Sequence, residues 1–122
     1  MTASILTVDD SASIRRTIKI ALAAEGYGVT EASDGAEGFR TAEATGFDLI
    51  ITDLNMPVMN GMEMIRGLRG LPAYAGVPIV FLTTESDEAV KREAKAAGAT
   101  GWLTKPFKPD QLLSVIAKLV RK

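Results

Sequence analysis

Polar side chains stand directly after four apolar runs of the sequence, and their types could hold a metal ion and a phosphoryl group. Short apolar runs of this kind suit the buried strands of a parallel sheet. In such sheets the ligand crevice lies beyond the carboxyl ends of the strands. We therefore expect three acids, one hydroxyl and one ammonium to converge at one edge of the sheet. These side chains are Asp9 and Asp10 after residues 4–8, Asp53 after residues 48–52, Thr83 after residues 77–82 and Lys105 after residues 101–104.

Three carboxylates at one edge favour a bound cation. Two carboxylates about 4 Å apart repel each other by roughly 4 kcal/mol at an effective dielectric of about 20. A hard cation such as Mg²⁺ relieves this repulsion and also takes phosphate oxygens into its shell. An aspartate can act as a nucleophile towards phosphorus and form an aspartyl-phosphate. The pattern indicates attack by Asp53, with Lys105 and the Thr83 hydroxyl each contacting a phosphoryl oxygen.

Each residue also has a simpler interpretation when it is considered alone. Asp10, just before a helix, could be a helix cap, and Asp53 could be a turn residue. Thr83 could be a strand-end hydroxyl bound to backbone, Lys105 a solvated surface charge and Trp102 a packing residue. Four strand ends would then have to place suitable groups on one edge by chance, so the joint interpretation is favoured.

The composition is that of one ordinary globular domain, and it restricts the metal chemistry. The 122 residues are 47% hydrophobic and 24% charged, with a formal net charge of -1. We expect a single domain over residues 1–122, and this charge does not indicate nucleic acid or a membrane as a partner. There is no cysteine and no histidine, so any metal must be bound by oxygen. The sequence shows no signal pattern and no long apolar run, which predicts a cytoplasmic protein.

The pattern between the strands predicts a helix after each of them. Five strands that alternate with five helices indicate an α/β fold, a doubly wound parallel sheet with helices on both faces. The expected strand order is 2-1-3-4-5, with the second strand, residues 27–32, near an edge. Ser86 is the expected cap of the fourth helix. The helix residues expected to point inward are Ile14, Ile18, Leu22, Ala36, Phe39, Ala42, Met62, Ile65, Leu68, Val90, Ala94, Ala97, Leu112, Leu113, Ile116, Leu119 and Val120.

The polar residues at the strand ends belong to four motifs whose order along the chain is highly specific. They are Val8-Asp9-Asp10-Ser11, residues 53–61, Leu82-Thr83 and Lys105-Pro106-Phe107. On these motifs the chain resembles a response-regulator receiver domain of the stand-alone, CheY-like type, over essentially its whole length. The resemblance implies a CheY- or flavodoxin-like fold and a part in a two-component phosphorelay.

The resemblance also implies roles for the site residues. Asp53 would be the phosphoacceptor, and Thr83 and Lys105 would sense the phosphoryl group. The peptide bond between Lys105 and Pro106 would be cis, an isomer that is energetically accessible before proline. The implied cofactor is Mg²⁺, or Mn²⁺, held by Asp10, Asp53, the backbone carbonyl of Asn55 and, through water, Asp9.

The same resemblance implies a switch and an output surface. Trp102 holds the position of an aromatic residue that turns inward when Thr83 moves towards the phosphoryl group. Asn55 and Glu85 stand at two positions that influence phosphoryl lifetime, in a pairing that resembles the fast-cycling chemotaxis type. The output surface would be basic with aromatic anchors, and it would comprise Lys91, Lys95, Trp102, Phe107 and Lys118.

The function implied is that of a signalling protein that catalyses only its own phosphorylation and dephosphorylation. The expected partners are a histidine kinase and a target protein, which would be the flagellar motor switch if the pathway is chemotaxis. We expect no effector domain after the last helix, and hence a protein that acts alone by binding a target when phosphorylated. We also expect a monomer. An alternative is a phosphate sink or a phosphorelay intermediate in a pathway other than chemotaxis.

Two interpretations from other classes are less favoured. A haloacid-dehalogenase-like phosphatase carries an Asp-x-Asp pattern after its first strand, whereas this chain has Asp9-Asp10 there. A flavin-binding module of the same topology would place the flavin phosphate beside these two acids, which repel it unless a metal is bound.

Overall fold

The computed structural model describes residues 3–54, 59–84 and 88–120 of the chain. Five strands alternate with five helices over these residues, as the sequence pattern predicts, and a short 3-10 helix precedes the fourth strand. Ser86, the predicted cap of the fourth helix, lies outside the described residues. The elements in chain order are β1 (Ser4–Val8), α1 (Ala12–Ala24), β2 (Gly28–Ala32), α2 (Gly35–Ala44), β3 (Leu49–Asp53), α3 (Gly61–Arg69), the 3-10 helix (Pro72–Tyr74), β4 (Ile79–Thr83), α4 (Glu88–Ala97), β5 (Gly101–Thr104) and α5 (Pro109–Leu119).

All five strands lie in one parallel sheet, in the order β2-β1-β3-β4-β5. The predicted doubly wound fold and its strand order are therefore confirmed. The three inner strands are almost entirely buried, whereas β2 and β5 at the edges alternate between covered and exposed residues. Covering a parallel sheet on both faces buries every residue of its inner strands, which explains their continuous apolar runs.

Two apolar clusters, one on each face of the sheet, hold the helices in place. α1 and α5 pack on one face, and α2, α3 and α4 pack on the other. Of the predicted inward residues, those that are fully covered are Ile18, Leu22, Ala42, Ile65, Leu68, Ala94, Leu112, Ile116 and Val120, and the others are half-buried. Met64, which the pattern did not assign to the core, is also buried. In the described part of the chain no helix is long and apolar enough to cross a membrane.

Some element boundaries differ from the predicted ones, for local physical reasons. β4 begins at Ile79 and not at residue 77, because Pro78 lacks an N–H for the strand ladder. α2 ends at Ala44, before Gly46, because the backbone of Thr45 is already extended, with φ −140° and ψ 136°. β3 extends through Asp53, which pairs with Leu82. The acid predicted to follow the third strand is thus its last residue.

Two glycines allow close contacts between backbone segments near the carboxyl end of β3. A Cβ atom on Gly61 would lie 2.2 Å from the Asp53 carbonyl oxygen, and one on Gly35 would lie 2.0 Å from the Met59 carbonyl oxygen. The Gly61 N–H donates to the Leu54 carbonyl at 3.0 Å, and the Gly35 N–H donates to the Met59 carbonyl at 3.1 Å. No larger residue fits at either position without moving backbone, so these contacts fix where α3 starts relative to Asp53.

At the opposite end of the strands, Arg69 joins the connection before β4 to the connection before β5. Its guanidinium donates to the carbonyls of Gly98, at 2.8 and 2.9 Å, Tyr74, at 2.5 Å, and Val77, at 2.8 Å. The Tyr74 hydroxyl in turn donates to the carbonyls of Ala42 and Thr45, at 2.6 and 2.8 Å. Burial lowers the pKa of Arg69 and raises the pKa of Tyr74. The C-terminal ends of α2, α3 and α4 are therefore tied together away from the acidic edge.

Candidate functional site

Three acidic side chains meet at the carboxyl ends of β1 and β3. These strands are parallel neighbours and Val8 is level with Thr52, so the residues that follow each of them, Asp9 and Asp53, come side by side. Carboxylate oxygens of Asp9, Asp10 and Asp53 all lie within 4.8 Å of one another. Asp9 is fully buried and Asp53 is 5% exposed, whereas Asp10 is exposed. The structure brings together the three acids that the sequence placed at this edge.

Lys105 lies between two of these carboxylates. Its ammonium is 3.1 Å from Asp9 Oδ2 and 3.2 Å from Asp53 Oδ2, and its side chain is only 13% exposed. The Lys105 backbone N–H donates to the Thr83 carbonyl at 2.8 Å, which sets the position of this side chain at the end of β5. The bond between Lys105 and Pro106 is cis, as expected. The simpler interpretation of Lys105 as a solvated surface charge is wrong.

The arrangement fits a hard divalent cation. One ammonium compensates only one of the three carboxylates, so uncompensated negative charge is concentrated within a few ångströms. All the donors in the cluster are oxygens, which are the ligands that Mg²⁺ takes in proteins. Asn55, whose carbonyl is the further predicted ligand, lies outside the described residues.

Thr83 is the last residue of β4 and is fully buried. Asp53 pairs with Leu82 on the neighbouring strand, so Thr83 lies one residue further along the same edge. Thr83 itself pairs with Thr104, the residue before Lys105. The register of β3, β4 and β5 thus places the Asp53 carboxylate, the Thr83 hydroxyl and the Lys105 ammonium at one edge.

Comparison with known proteins assigns the family. The family model described as "Response regulator receiver domain" matches residues 5–117. The chain belongs to this family. Receiver domains are in general signalling modules of two-component systems and not enzymes, they bind Mg²⁺ at an acidic site, and histidine kinases phosphorylate them.

Individual relatives of this receiver domain carry several kinds of name. The chain is 45% identical to the chemotaxis response regulator CheY4 of Vibrio cholerae, with a TM-score of 0.94 over 98% of this chain and 99% of that one. It is 30% identical to the receiver domain of the sensor histidine kinase PA1611 of Pseudomonas aeruginosa, with a TM-score of 0.90 and 98% of both chains covered. That structure holds a magnesium ion in its active-site cleft.

A curated relative, the transcriptional regulatory protein KdpE of Mycobacterium tuberculosis, is 36% identical over 118 residues, or 97% of this chain and 51% of KdpE. The chain spans about half the length of several curated relatives that it matches. The receiver family therefore includes proteins with different names and lengths, so the name of one relative cannot be given to this chain.

The aromatic residue predicted to switch in this receiver domain lies on the surface. Trp102 is 42% exposed on β5, and its ring centroid is 6.3 Å from that of Phe81. The Lys91 ammonium lies over the indole, 4.8 Å from its centroid, and 3.8 Å from Glu88 Oε2. This is a cation–π arrangement. Trp102 therefore occupies an outward position here, packed between α4 and the edge of the sheet.

The predicted output residues do not all share one surface. Trp102 and Lys118 line a groove of about 270 Å³ beside β5, with Val115. Lys95 is exposed on α4. Phe107, by contrast, is half-buried in the cluster on the α1 and α5 face and lines a separate groove with Ile14, Thr17 and Lys105. Glu85, predicted to influence phosphoryl lifetime with Asn55, lies outside the described residues, as Asn55 does.

Two residues that the sequence analysis did not assign to the site of this receiver domain contact it. Ser11 caps α1, because its side chain accepts from the Ile14 N–H at 3.3 Å, and its own N–H donates to Asp9 Oδ1 at 2.9 Å. Asp10 is therefore not the helix cap that it could have been when considered alone. Arg15 donates to the Asp9 carbonyl at 2.5 Å. A serine directly before a helix is a common capping residue, so the role of Ser11 could have been predicted from the sequence. Nothing in the residue spacing indicated that Arg15 contacts the Asp9 carbonyl.

Proposed function

We propose that this receiver domain accepts a phosphoryl group on Asp53 from a phosphorylated histidine kinase, in the presence of Mg²⁺ or Mn²⁺, and that phosphorylation changes its affinity for a target protein. The observation that carries the proposal is the position of the Asp53 carboxylate, at the end of β3, within reach of Lys105 and beside two further acids. An isolated aspartate would bind neither the cation nor the phosphoryl oxygens.

The transfer requires little covalent chemistry from the protein. An oxygen of the Asp53 carboxylate forms a bond to phosphorus while the bond between phosphorus and the kinase histidine nitrogen breaks, and the imidazole leaves. Such transfers depend mainly on positioning and on compensation of the charge on the phosphoryl oxygens. Bound magnesium supplies part of that compensation, with Asp10, Asp53, the Asn55 carbonyl and, through water, Asp9 as its proposed ligands.

Lys105 and Thr83 then contact the transferred group. The Lys105 ammonium already lies 3.2 Å from Asp53 Oδ2, so it needs only a small displacement to pair with a phosphoryl oxygen on the same carboxylate. The Thr83 hydroxyl donates to another phosphoryl oxygen and moves towards it, and Trp102 then turns inward. This rearrangement changes the α4–β5–α5 surface, by which we mean Lys91, Lys95, Trp102 and Lys118.

The target on the α4–β5–α5 surface is proposed to be a protein with acidic residues around an apolar anchor. Lys91 and Lys118 lie beside one partly exposed indole there, and Lys95 is exposed on α4, a pattern that suits such a segment. Chemotaxis, with the flagellar motor switch as target, is the favoured pathway because the similarity to CheY4 covers nearly the whole of both chains. A phosphate sink or relay intermediate is the second candidate. In either role we place the protein in the cytoplasm.

The acceptor is tested by phosphorylation with a small-molecule phosphodonor and Mg²⁺. We expect the wild-type protein to gain the mass of one phosphoryl group, stable in acid and labile in base, and Asp53→Asn to gain none. Asp48→Asn, which removes the acid directly before the same strand, is the matched control and should label normally. Labelling of Asp53→Asn at the wild-type level would move the nucleophile elsewhere, with Asp10 the first candidate.

The switch is tested by target binding with a beryllofluoride mimic of the phosphoryl group. A ligand shifts a two-state equilibrium only through its different affinities for the two states. We expect the mimic to tighten target binding by about 1–3 kcal/mol, a usual allosteric coupling. Thr83→Ala should still be phosphorylated on Asp53 but should lose most of this gain in target affinity. Thr84→Ala, which changes the exposed neighbouring threonine, should retain the full gain. A full gain in Thr83→Ala would exclude the route from Thr83 to Trp102.

A further inference from the structure

Arg15 connects helix α1 to the turn that carries Asp9 and Asp10. One guanidinium nitrogen, Nη1, donates to the backbone carbonyl of Asp9 at 2.5 Å. Another, Nε, donates to Glu31 Oε1 on β2 at 3.1 Å. The side chain is 17% exposed, although arginine side chains on a helix surface usually extend into solvent. Arg15 thus spans from the β1–α1 turn to the neighbouring strand.

The hydrogen bond from Arg15 to the Asp9 carbonyl completes the fixing of the Asp9 backbone. Asp9 lies one residue beyond β1, and its N–H continues the pairing to β2 by donating to the Ala32 carbonyl at 3.1 Å. Its carboxylate accepts from the Ser11 N–H and from Lys105. With the carbonyl held by Arg15, the backbone of Asp9 is fixed on every polar group. The orientation of the next peptide unit, which carries Asp10, follows from that.

The other end of Arg15 is anchored. Glu31 lies on β2, level with Thr7 of β1, and it also contacts the Lys19 ammonium at 3.6 Å. A guanidinium that donates to two partners is held in one orientation more firmly than a single point charge is. Arg16, the next residue, is exposed and carries the same charge on the same helix.

We propose that Arg15 is a positioning residue for the cation site, and that by holding the Asp9 carbonyl it sets the direction of the Asp9 and Asp10 carboxylates. This inference rests on the proposed function, because it concerns the metal that the function requires. Residues that orient metal ligands without touching the metal commonly change metal affinity by 10–100-fold when they are replaced. Because Arg15 acts through backbone, we expect an effect near the lower end of that range.

The sign of the effect separates positioning from charge. Arg15 is a cation near an acidic site, so removing its charge should by itself make the binding of another cation tighter. Loss of positioning should make it weaker. A water molecule that replaced the guanidinium on the Asp9 carbonyl would leave the geometry intact, and only the charge effect would remain.

The experiment is a titration of the full chain with Mn²⁺, with free ion counted by electron paramagnetic resonance, followed by competition with Mg²⁺. We expect Arg15→Met to bind about tenfold more weakly than wild type, and the matched control Arg16→Met to bind as tightly as wild type or more tightly. Binding by Arg15→Met that equals or exceeds that of Arg16→Met would overturn the inference.

A folding control and a second variant separate loss of positioning from loss of the fold. Circular dichroism and thermal unfolding establish that each variant is folded, and if Arg15→Met is not, Arg15→Lys carries the test. A lysine keeps the charge but can reach only one of the two partners, so we expect about threefold weaker binding, and binding equal to wild type would contradict the inference. Failure of the wild-type protein to bind Mn²⁺ would instead overturn the metal site of the proposed function.

Discussion

Lys105 and Arg69 are cations at opposite ends of the strands, both largely covered, and their partners differ in kind. Lys105 lies at the carboxyl ends, beside the carboxylates of Asp9 and Asp53. Arg69 lies near the amino ends of β4 and β5, and its acceptors within the described part of the chain are the carbonyls of Gly98, Tyr74 and Val77 and, at 3.5 Å, the Thr100 hydroxyl.

This difference in partners distinguishes the acidic edge, which is the candidate site, from the Arg69 junction, by which we mean the contacts of Arg69 with Gly98, Tyr74 and Val77. Two carboxylates share the one Lys105 ammonium, so this end of the sheet can attract a further cation. Carbonyls that are already satisfied by the planar Arg69 fork offer no net charge to attract another partner. The end of the sheet with excess charge is therefore the one at which we propose that ligands bind, and the end with neutral acceptors holds α2, α3 and α4 together.

The largest expected effect tests whether the Arg69 junction is structural only. We expect Arg69→Met to lower the free energy of unfolding by about 3 kcal/mol, because the hydrogen bonds of Arg69 to three carbonyls are lost at once. Arg66→Met is the matched control on the same helix, and its exposed contact to Glu93 at 3.4 Å should contribute less than about 0.5 kcal/mol. Denaturant unfolding measures both values, and equal losses in the two variants would remove Arg69 from its assigned role.

Phosphorylation of Arg69→Met tests whether the two ends of the strands act independently. At a temperature where the variant is folded, a small-molecule donor should label Asp53 to the wild-type level, since Arg69 lies at the other end of the strands. A labelling defect in folded Arg69→Met would show that the two ends are coupled.

A smaller effect is expected at Tyr74, which belongs to the same junction. We expect Tyr74→Phe to cost about 1.5 kcal/mol, because the Ala42 and Thr45 carbonyls lose their shared donor. Burial raises the pKa of Tyr74, so its neutral form is favoured in the folded state. The resulting stability is fully present below the ordinary tyrosine pKa of about 10 and is lost as pH rises through the raised value.

Unfolding measured from pH 8 to 11 checks this pH dependence. The difference in stability between wild type and Tyr74→Phe should shrink towards the alkaline end, because only the wild-type protein must then keep a buried tyrosine protonated. A difference that stays constant over this range would contradict the assigned cause.

The smallest effect has the opposite sign and concerns the acidic edge. We expect Asp10→Ala to raise the metal-free stability by about 1 kcal/mol, since it removes an exposed carboxylate beside two others. Added Mg²⁺ should stabilise wild type but not Asp10→Ala, because a ligand stabilises only the state that binds it. Glu43→Ala removes the same charge from an exposed position on α2 and should show neither change. An unaltered magnesium response in Asp10→Ala would exclude it as a ligand.

The acidic edge could be predicted from sequence because strand ends of a parallel sheet determine it. Once β1, β3, β4 and β5 are recognised, Asp9, Asp53, Thr83 and Lys105 must lie at one edge whatever the helices do. The family resemblance added the cis bond before Pro106, which the structure contains. Periodicity likewise predicted the helices, whose apolar faces must cover the sheet.

The contacts of long side chains and of residues beyond the strands could not be predicted in this way. Arg15 and Arg69 were two of many helix arginines, and which backbone carbonyls they reach depends on how the helices pack. The alternation of side chains along β5 places Trp102 and Leu103 on opposite faces of the sheet. It cannot place Phe107, which lies beyond the end of β5 and packs on the α1 and α5 face. The close approach of Gly61 to the Asp53 carbonyl is equally a property of tertiary packing.

The single tryptophan of the chain makes the α4–β5–α5 surface optically readable. All indole emission comes from Trp102, which is partly solvated and lies under the Lys91 ammonium. A rotation of this ring into the protein would remove both water and the cation from it, and the emission maximum would move to shorter wavelength. The unlabelled protein therefore carries its own reporter of the state of that surface, at a position where an attached dye would interfere with the proposed partner.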